Sequence, residues 1–257
     1  MQTSQQWIHH FKQNLQLKRI DWSIPPRLTE KERQRIIHSV QAWQLGETSD
    51  GAHLLAAAKK YAHAIGDTNY CEAVQLFIKE EQKHGSNLGR YLDLVKEKRI
   101  GHNWGDTLFR KIRYFNTSME LWTITVITVE SAAQVYYQSL KDATRCTLLK
   151  QICTDILIDE AFHIDFQQQR LAIIFSGKTV LQKIACFQFY RLLYFTTTLV
   201  VWMAHRKVFQ AGNNTLAGYW RKMSLKFHKT IQRLQAHKKT LPLKLPVMAA
   251  DTRVSNN

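Results

Sequence analysis

Apolar side chains recur every three or four residues along most of this chain, which is the period of an amphipathic α-helix. Alternating apolar and polar residues, the pattern of a half-buried strand, are scarce, and the chain contains only 4 Pro and 10 Gly. At 257 residues it is long enough to bury a large core as one domain with additions. The pattern therefore predicts an all-α protein.

Capping and turn signals divide this pattern into separate helices. The run from Thr29 to Glu32 is a capping box, so a helix should begin there. The turn at residues 66–68 should start a second helix that ends near Gly101, followed by a short helix around Phe109. Further helices are predicted in the N-terminal arm and over residues 118–140, 144–175, 178–210 and 216–237.

Two of the apolar helical faces carry a Glu followed three residues later by a His. The pairs are Glu81 with His84 and Glu160 with His163. Residues three apart lie on one side of a helix, about a turn from each other, so each pair can bind one metal. Glu80 competes with Glu81, because it lies four residues before His84; we prefer Glu81, whose face is more apolar.

Two further helices each bring an acid to an apolar face. Glu130 is the only charged residue between Glu120 and Lys141, and a buried carboxylate without a partner is costly, so it needs a cation. On the first long helix, Glu47 is in phase with the apolar stripe, and glycines on either side should kink or break the helix. Asp50 shares much of that face and remains the alternative to Glu47.

The order Glu, Glu-x-x-His, Glu, Glu-x-x-His resembles the ferritin-like di-iron carboxylate superfamily. The resemblance covers about Glu30 to Phe175. It implies a ferritin-like four-helix bundle with additional N- and C-terminal helices, and a cofactor of two iron ions, with manganese as an alternative. The implied metal ligands are Glu47 (or Asp50), Glu81, His84, Glu130, Glu160 and His163.

The expected organisation therefore has four parts. Residues 1–28 form an N-terminal arm, and residues 29–177 form the ferritin-like bundle. Residues 178–239 form a basic C-terminal helical extension, and residues 240–257 form a disordered tail.

Centres of this superfamily activate O2 or peroxide, so the resemblance implies a non-haem di-iron oxidase or oxygenase acting on a small organic substrate. The alternative is an iron-handling protein of the ferritin or rubrerythrin type, acting as a ferroxidase or in peroxide removal. The extra C-terminal helices oppose a closed storage shell, and the four Cys form no CxxC pair of the kind that rubrerythrins use. Tyr137 lies two turns from Glu130; we prefer core packing for it, and the alternative is a catalytic role as a substrate-pocket residue or radical site. His205 is a candidate pocket residue.

Charge is distributed unevenly along the chain. Between Phe166 and Ala250 there are 14 Lys and Arg and no Asp or Glu, so this segment supplies most of the net charge of +16. Such a surface favours anionic partners. No nucleic-acid motif accompanies it, so nucleic acid is not expected to be the partner.

The uncharged run Leu192–Ala204 has two interpretations. We prefer that it packs on the bundle, with the basic residues steering an anionic substrate; the alternative is peripheral contact with an anionic membrane. A monomer or homodimer is expected. Scattered cysteines and the lack of an apolar signal sequence indicate a cytoplasmic protein.

Overall fold

The computed structural model describes residues 1–105, 107 and 118–236. Within these residues the chain forms α-helices and no strands, which confirms the all-α prediction. The helices are α1 (Ser4–Asn14), α2 (Glu30–Glu47), α3 (Ala52–Ile65), α4 (Thr68–Leu94), α5 (Met119–Ala143), α6 (Thr147–Ser176), α7 (Val180–Ala211) and α8 (Leu216–Ala236). The short helix predicted around Phe109 and the disordered tail predicted at 240–257 lie outside the described residues.

The bundle has four helical segments. The first is α2 together with α3, which continues it, and the other three are α4, α5 and α6. Helix α2 packs on α4, and α5 packs on α6 along most of its length. Helix α1 lies against α4, where Trp7 and Phe11 are buried with apolar residues of α3 and α4. Helix α7 covers α5 and α2, and α8 packs on α6 and α7. The N-terminal helix therefore extends one apolar cluster of the bundle, and the C-terminal helices extend a second one.

Side-chain caps set the predicted helix starts. Thr29 and Glu32 form the expected capping box at α2, and the Asp67 carboxylate accepts a hydrogen bond from Tyr70 N at α4. The prediction that α4 extends to about Gly101 is wrong. The helix ends at Leu94, because Lys96 adopts a positive φ of 59° and turns the chain.

The junction between α2 and α3 holds Glu47 close to α4. Helix α2 ends at Glu47, and Gly51, with a φ of 65°, precedes α3, as the flanking glycines predicted. A Cβ on Gly85 of α4 would lie 2.8 Å from Thr48 Cγ2 and 3.1 Å from Glu47 Cβ. The missing side chain at Gly85 therefore lets the end of α2 approach α4 beside His84.

Candidate metal centre

The fold brings the six side chains predicted as metal ligands into one cluster. Metal-ligating atoms of one group lie within 4.8 Å of one another, and those of a second group do the same. The first group is Glu47, Glu81 and His84, and the second is Glu81, Glu130, Glu160 and His163. Glu81 belongs to both groups, as a bridging carboxylate would. Asp50 belongs to neither; it is exposed, and its carboxylate accepts a hydrogen bond from Ala52 N at the start of α3.

Several polar atoms facing this cluster are buried without a hydrogen-bond partner among the described residues. They are both carboxylate oxygens of Glu160, Oε1 of Glu81, and Nδ1 of His84 and of His163. His163 Nδ1 lies 2.7 Å from Glu81 Oε1, an ion-pair contact without hydrogen-bond alignment. Since an unsatisfied buried polar atom is costly, these orphaned atoms fit metal coordination.

Burial and mutual repulsion perturb the pKa values of the clustered carboxylates. Burial, with the Glu81 carboxylate nearby, raises the pKa of Glu47 well above its ordinary value and that of Glu130 to about 7. Burial, with Glu130 beside it, likewise raises the pKa of Glu160 well above its ordinary value. Burial would also raise the pKa of Glu81, but the His163 ring outweighs it and lowers that pKa to about 2. The cluster is therefore short of positive charge.

The donor set fits two divalent ions. Four carboxylates carry a charge of about −4, which two divalent ions balance, and each group contains one imidazole. Oxygen-rich ligands with one neutral nitrogen per metal suit Fe(II) or Mn(II), whereas metals that prefer sulfur fit less well.

Each candidate histidine is oriented by an acid from the opposite motif. His163 Nε2 donates to Glu80 Oε2 at 2.8 Å, and His84 Nε2 donates to Asp159 Oδ2 at 3.0 Å. Each acid directly precedes the Glu of its own motif, so the two helices exchange hydrogen bonds. These bonds fix the ring tautomers and leave Nδ1 facing the cluster. From the sequence, Glu80 was considered only as a rival ligand and Asp159 was given no role. The pattern that could have indicated both is an acid directly before each of Glu81 and Glu160.

The N-terminal arm supports these two acids. Asn14 Nδ2 donates to Glu80 Oε1 at 2.7 Å and to Asp159 Oδ1 at 2.9 Å. Arg19 donates to Asp155 and Asp159, both at 2.7 Å, and adds positive charge beside them. Nothing in the local sequence pattern of the arm indicates this contact, because its partners lie 66 to 145 residues away.

Replacing Asn14 by alanine should weaken metal binding about 10- to 100-fold, because Glu80 and Asp159 would lose the amide that orients both. Titration against a metal-sensitive chelator measures the affinity, and the thermal midpoint recorded in parallel shows whether the fold persists. Gln13→Ala, an exposed position on the same helix, is the matched control. Unchanged affinity in a folded Asn14 variant would contradict the supporting role.

Tyr137 contacts the cluster directly. Its buried hydroxyl donates to Glu47 Oε1 at 2.8 Å, and its ring lies against Tyr136 and Trp43. Burial, together with the Glu47 carboxylate, raises the pKa of Tyr137 well above its ordinary value, so it stays a hydrogen-bond donor. Tyr137 therefore packs in the core and also orients a candidate ligand.

A cavity of about 430 Å³ adjoins the cluster. Glu47, Glu81 and Glu130 form part of its wall, so three candidate ligands face the same space. Most other lining side chains are apolar, and they include Trp43, Leu54, Phe77, Ile78, Trp122, Val126, Val129, Val200 and Val201. Among the described lining residues there is no Lys or Arg.

His205 places an imidazole in this cavity wall. It interrupts α7 with a φ of −122°, the one non-helical position inside that helix. Its Nδ1 lies 2.7 Å from Ser39 Oγ, which lies 3.0 Å from the Tyr136 hydroxyl. Burial lowers the pKa of His205 to about 3, so the ring is neutral and keeps one N–H. The kink therefore supplies a polar group to a mostly apolar cavity, and His205 is a lining residue, as the sequence suggested.

The fold is a ferritin-like helical bundle, and it brings together two groups of carboxylate and histidine side chains that could each hold a metal ion. No family model and no curated protein matches this chain. Among solved structures, the chain is similar to variants of an R2-like ligand-binding oxidase with a reconstituted Mn/Fe cofactor.

The similarity to that oxidase extends over nearly the whole chain. One aerobically reconstituted variant has a TM-score of 0.58 and 17% identity over 93% of both chains. A second has a TM-score of 0.57 and 17% identity over 93% of this chain and 96% of that one. An anaerobically reconstituted variant has a TM-score of 0.56 and 17% identity over 93% of both. The likeness establishes the ferritin-like fold, including the N- and C-terminal helices.

Proposed function

We propose that this protein is a non-haem dinuclear metal oxidase or oxygenase that uses O2 to oxidise a small organic molecule. The observation that carries the proposal is the cavity whose wall includes Glu47, Glu81 and Glu130, so that a bound molecule would lie beside the metals. The similar solved structures, named as oxidases with a Mn/Fe cofactor, support the same class. Two iron ions, or manganese with iron, are the proposed cofactor.

The proposed metal positions share one carboxylate. Glu47, Glu81 and His84 would hold one ion, and Glu81, Glu130, Glu160 and His163 would hold the other. Such a pair of metals, when bound, supplies the electrons that reduce O2. The protein's own part is to fix the ligands through Tyr137, Glu80 and Asp159, and to exclude water with apolar walls.

The cavity favours a substrate with an apolar body. Its volume of about 430 Å³ is that of a pocket for a small molecule. Because no Lys or Arg lines it in the described part of the chain, a substrate anion would find no cationic side chain there. The neutral His205 ring can form one directed hydrogen bond with a polar group on the substrate.

The purified chain is first loaded with Fe(II) in the absence of O2, and O2 is then admitted. Oxygen uptake should follow and should stop once two iron ions per chain have been oxidised. An oxygen electrode and metal analysis measure the two quantities. An oxidase should resume uptake when reductant and a suitable organic molecule are added, since the centre is then recycled. A Glu130→Ala variant, which lacks one candidate ligand, should show no such uptake.

The same experiment separates the oxidase from an iron-handling protein. A ferroxidase or storage protein would continue to oxidise iron far beyond two per chain, and size-exclusion chromatography would show a shell-sized particle. Either result would overturn the proposed function. A monomer or homodimer with uptake limited to two irons would support it.

A further inference from the structure

Helix α7 presents an apolar face to solvent along most of its length. Leu181 is 80% exposed, Leu192 is 69% exposed and Met203 is 53% exposed. The large exposed apolar side chains of this helix are Val180, Leu181, Ile184, Phe189, Leu192, Leu199 and Met203. They extend over residues 180–203, roughly 35 Å of helix, and a patch of that length marks an interaction surface.

The opposite face of α7 is fixed to the protein. Tyr190, Tyr194 and Val201 are buried there, and the helix packs on α5 and α2. By length and composition α7 could cross a membrane: its most apolar 18-residue window has a mean hydropathy of 1.4. Only 28% of that window is buried. Because the bundle holds one side of α7, the helix is expected to contact a membrane along its exposed side and not to cross it.

Helix α8 extends this surface and adds positive charge to it. Trp220 of α8 stacks on Phe195 of α7 with ring centroids 5.0 Å apart, and Trp220 is itself exposed. The exposed basic residues of the two helices are Arg191, Arg206, Lys207, Arg221, Lys222, Lys229 and Arg233. No Asp or Glu occurs in residues 166–236. An exposed apolar stripe with an aromatic residue, on two helices whose charged side chains are all basic, is the pattern of an interfacial membrane contact.

We propose that α7 and α8 together form a docking surface for an anionic phospholipid membrane. The exposed α7 side chains would enter the boundary between headgroups and acyl chains, and the basic side chains would contact lipid phosphates. Charge decides between a membrane and a second copy of this chain. Two copies that met through this face would bring together two pairs of helices that carry basic side chains and no Asp or Glu, which is unfavourable.

Membrane docking has a consequence for the cavity, and this consequence rests on the proposed oxidase function. Val200, Val201, Ala204 and His205 line the cavity from the same helix that carries the exposed stripe. A molecule dissolved in the bilayer would therefore lie one helix diameter, about 10 Å, from the cavity that adjoins the candidate ligands. The substrate class that fits is a largely apolar molecule that partitions into membranes.

Vesicle flotation of the full chain tests the docking surface. The protein should float with vesicles of phosphatidylcholine mixed with phosphatidylglycerol, much less with phosphatidylcholine alone, and high salt should release it. Replacing Leu181 and Leu192 by serine should reduce the bound fraction about tenfold or more, because both exposed side chains would insert. Leu94→Ser, an apolar side chain exposed to 43% on α4, is the matched control and should float like the wild type.

Three results would overturn the proposal. They are no flotation on either vesicle, equal and salt-insensitive flotation on both, or a solution dimer that the Leu181 and Leu192 substitutions dissociate. The thermal midpoint and metal content of each variant show that it is folded. Flotation requires no turnover, so the docking surface can fail while the oxidase function holds, and the reverse.

Discussion

Replacing Glu81 by alanine is expected to remove metal from both proposed positions, because this carboxylate belongs to both ligand groups. Wild-type protein loaded anaerobically with Fe(II) should retain two ions per chain after desalting, and Glu81→Ala should retain well under one. Metal analysis by mass spectrometry measures the ratio. Glu160→Ala, which removes a carboxylate from the second group alone, should leave the first position partly filled.

The matched control for Glu81 is Glu72→Ala on the same helix. Glu72 is exposed, pairs with Lys12 at 2.7 Å and belongs to neither ligand group. The Glu72 variant should therefore keep both metals. Two ions retained by Glu81→Ala, or a wild type that carries a single zinc, would contradict a dinuclear centre.

Metal removal should make the stability of the protein fall as the pH rises. Glu47, Glu130 and Glu160 have pKa values raised by burial and by neighbouring carboxylates, to about 7 for Glu130. A group whose pKa is higher in the folded state stabilises the fold below its unfolded pKa, about 4.3 for Glu. That contribution is lost as the pH rises through the folded pKa.

The His163–Glu81 pair modifies this pH dependence. Burial opposes protonation of His163, but Glu81 and Glu80 outweigh it and raise the pKa of His163 well above its ordinary value. Its contribution therefore has the same sign and is lost in the alkaline direction. Glu81 has the opposite sign, since its pKa is lowered to about 2; its contribution is lost only as strong acid approaches that value.

Chelator-treated protein should therefore unfold at a temperature that drops by roughly 10 °C between about pH 5 and about pH 8. The raised pKa of Glu130 alone corresponds to roughly 3 kcal/mol. Metal-loaded protein should show little change over the same range, because the metals neutralise the carboxylates. Calorimetry of both forms measures the difference. An unfolding midpoint of the metal-free protein that stays constant or increases with pH would contradict a cluster that is short of positive charge.

The helices and the ligand cluster were predictable because they depend on local spacing. Glu160 and His163 are three apart on an apolar face, and Glu130 is isolated in an uncharged run, so both positions could be assigned without tertiary information. The capping box at Thr29 likewise fixes a helix start locally. The early end of α4 was not predictable, because Lys96 adopts a left-handed conformation that usually requires glycine.

The supporting contacts depend on distances that the sequence does not encode locally. Asn14 reaches Asp159 across 145 residues. The sequence indicated His205 as a pocket residue, but nothing in it indicated that α7 is kinked there. The preferred interpretation of α7 as a helix packed on the bundle describes one of its faces. The periodicity could not show that the opposite, equally apolar face stays exposed.

The end of α2 introduces an asymmetry between the two proposed metal positions. Glu47 is the last residue of α2, where the helix macrodipole places partial negative charge and disfavours a carboxylate. Glu130 and Glu160 lie deep within long helices and cannot move without disturbing a continuous backbone ladder. Glu47 instead ends its helix beside a glycine-flanked joint, where the Tyr137 hydroxyl holds its carboxylate. If two metals of different size occupied the proposed positions, this end of α2 is where the ligands would adjust to them.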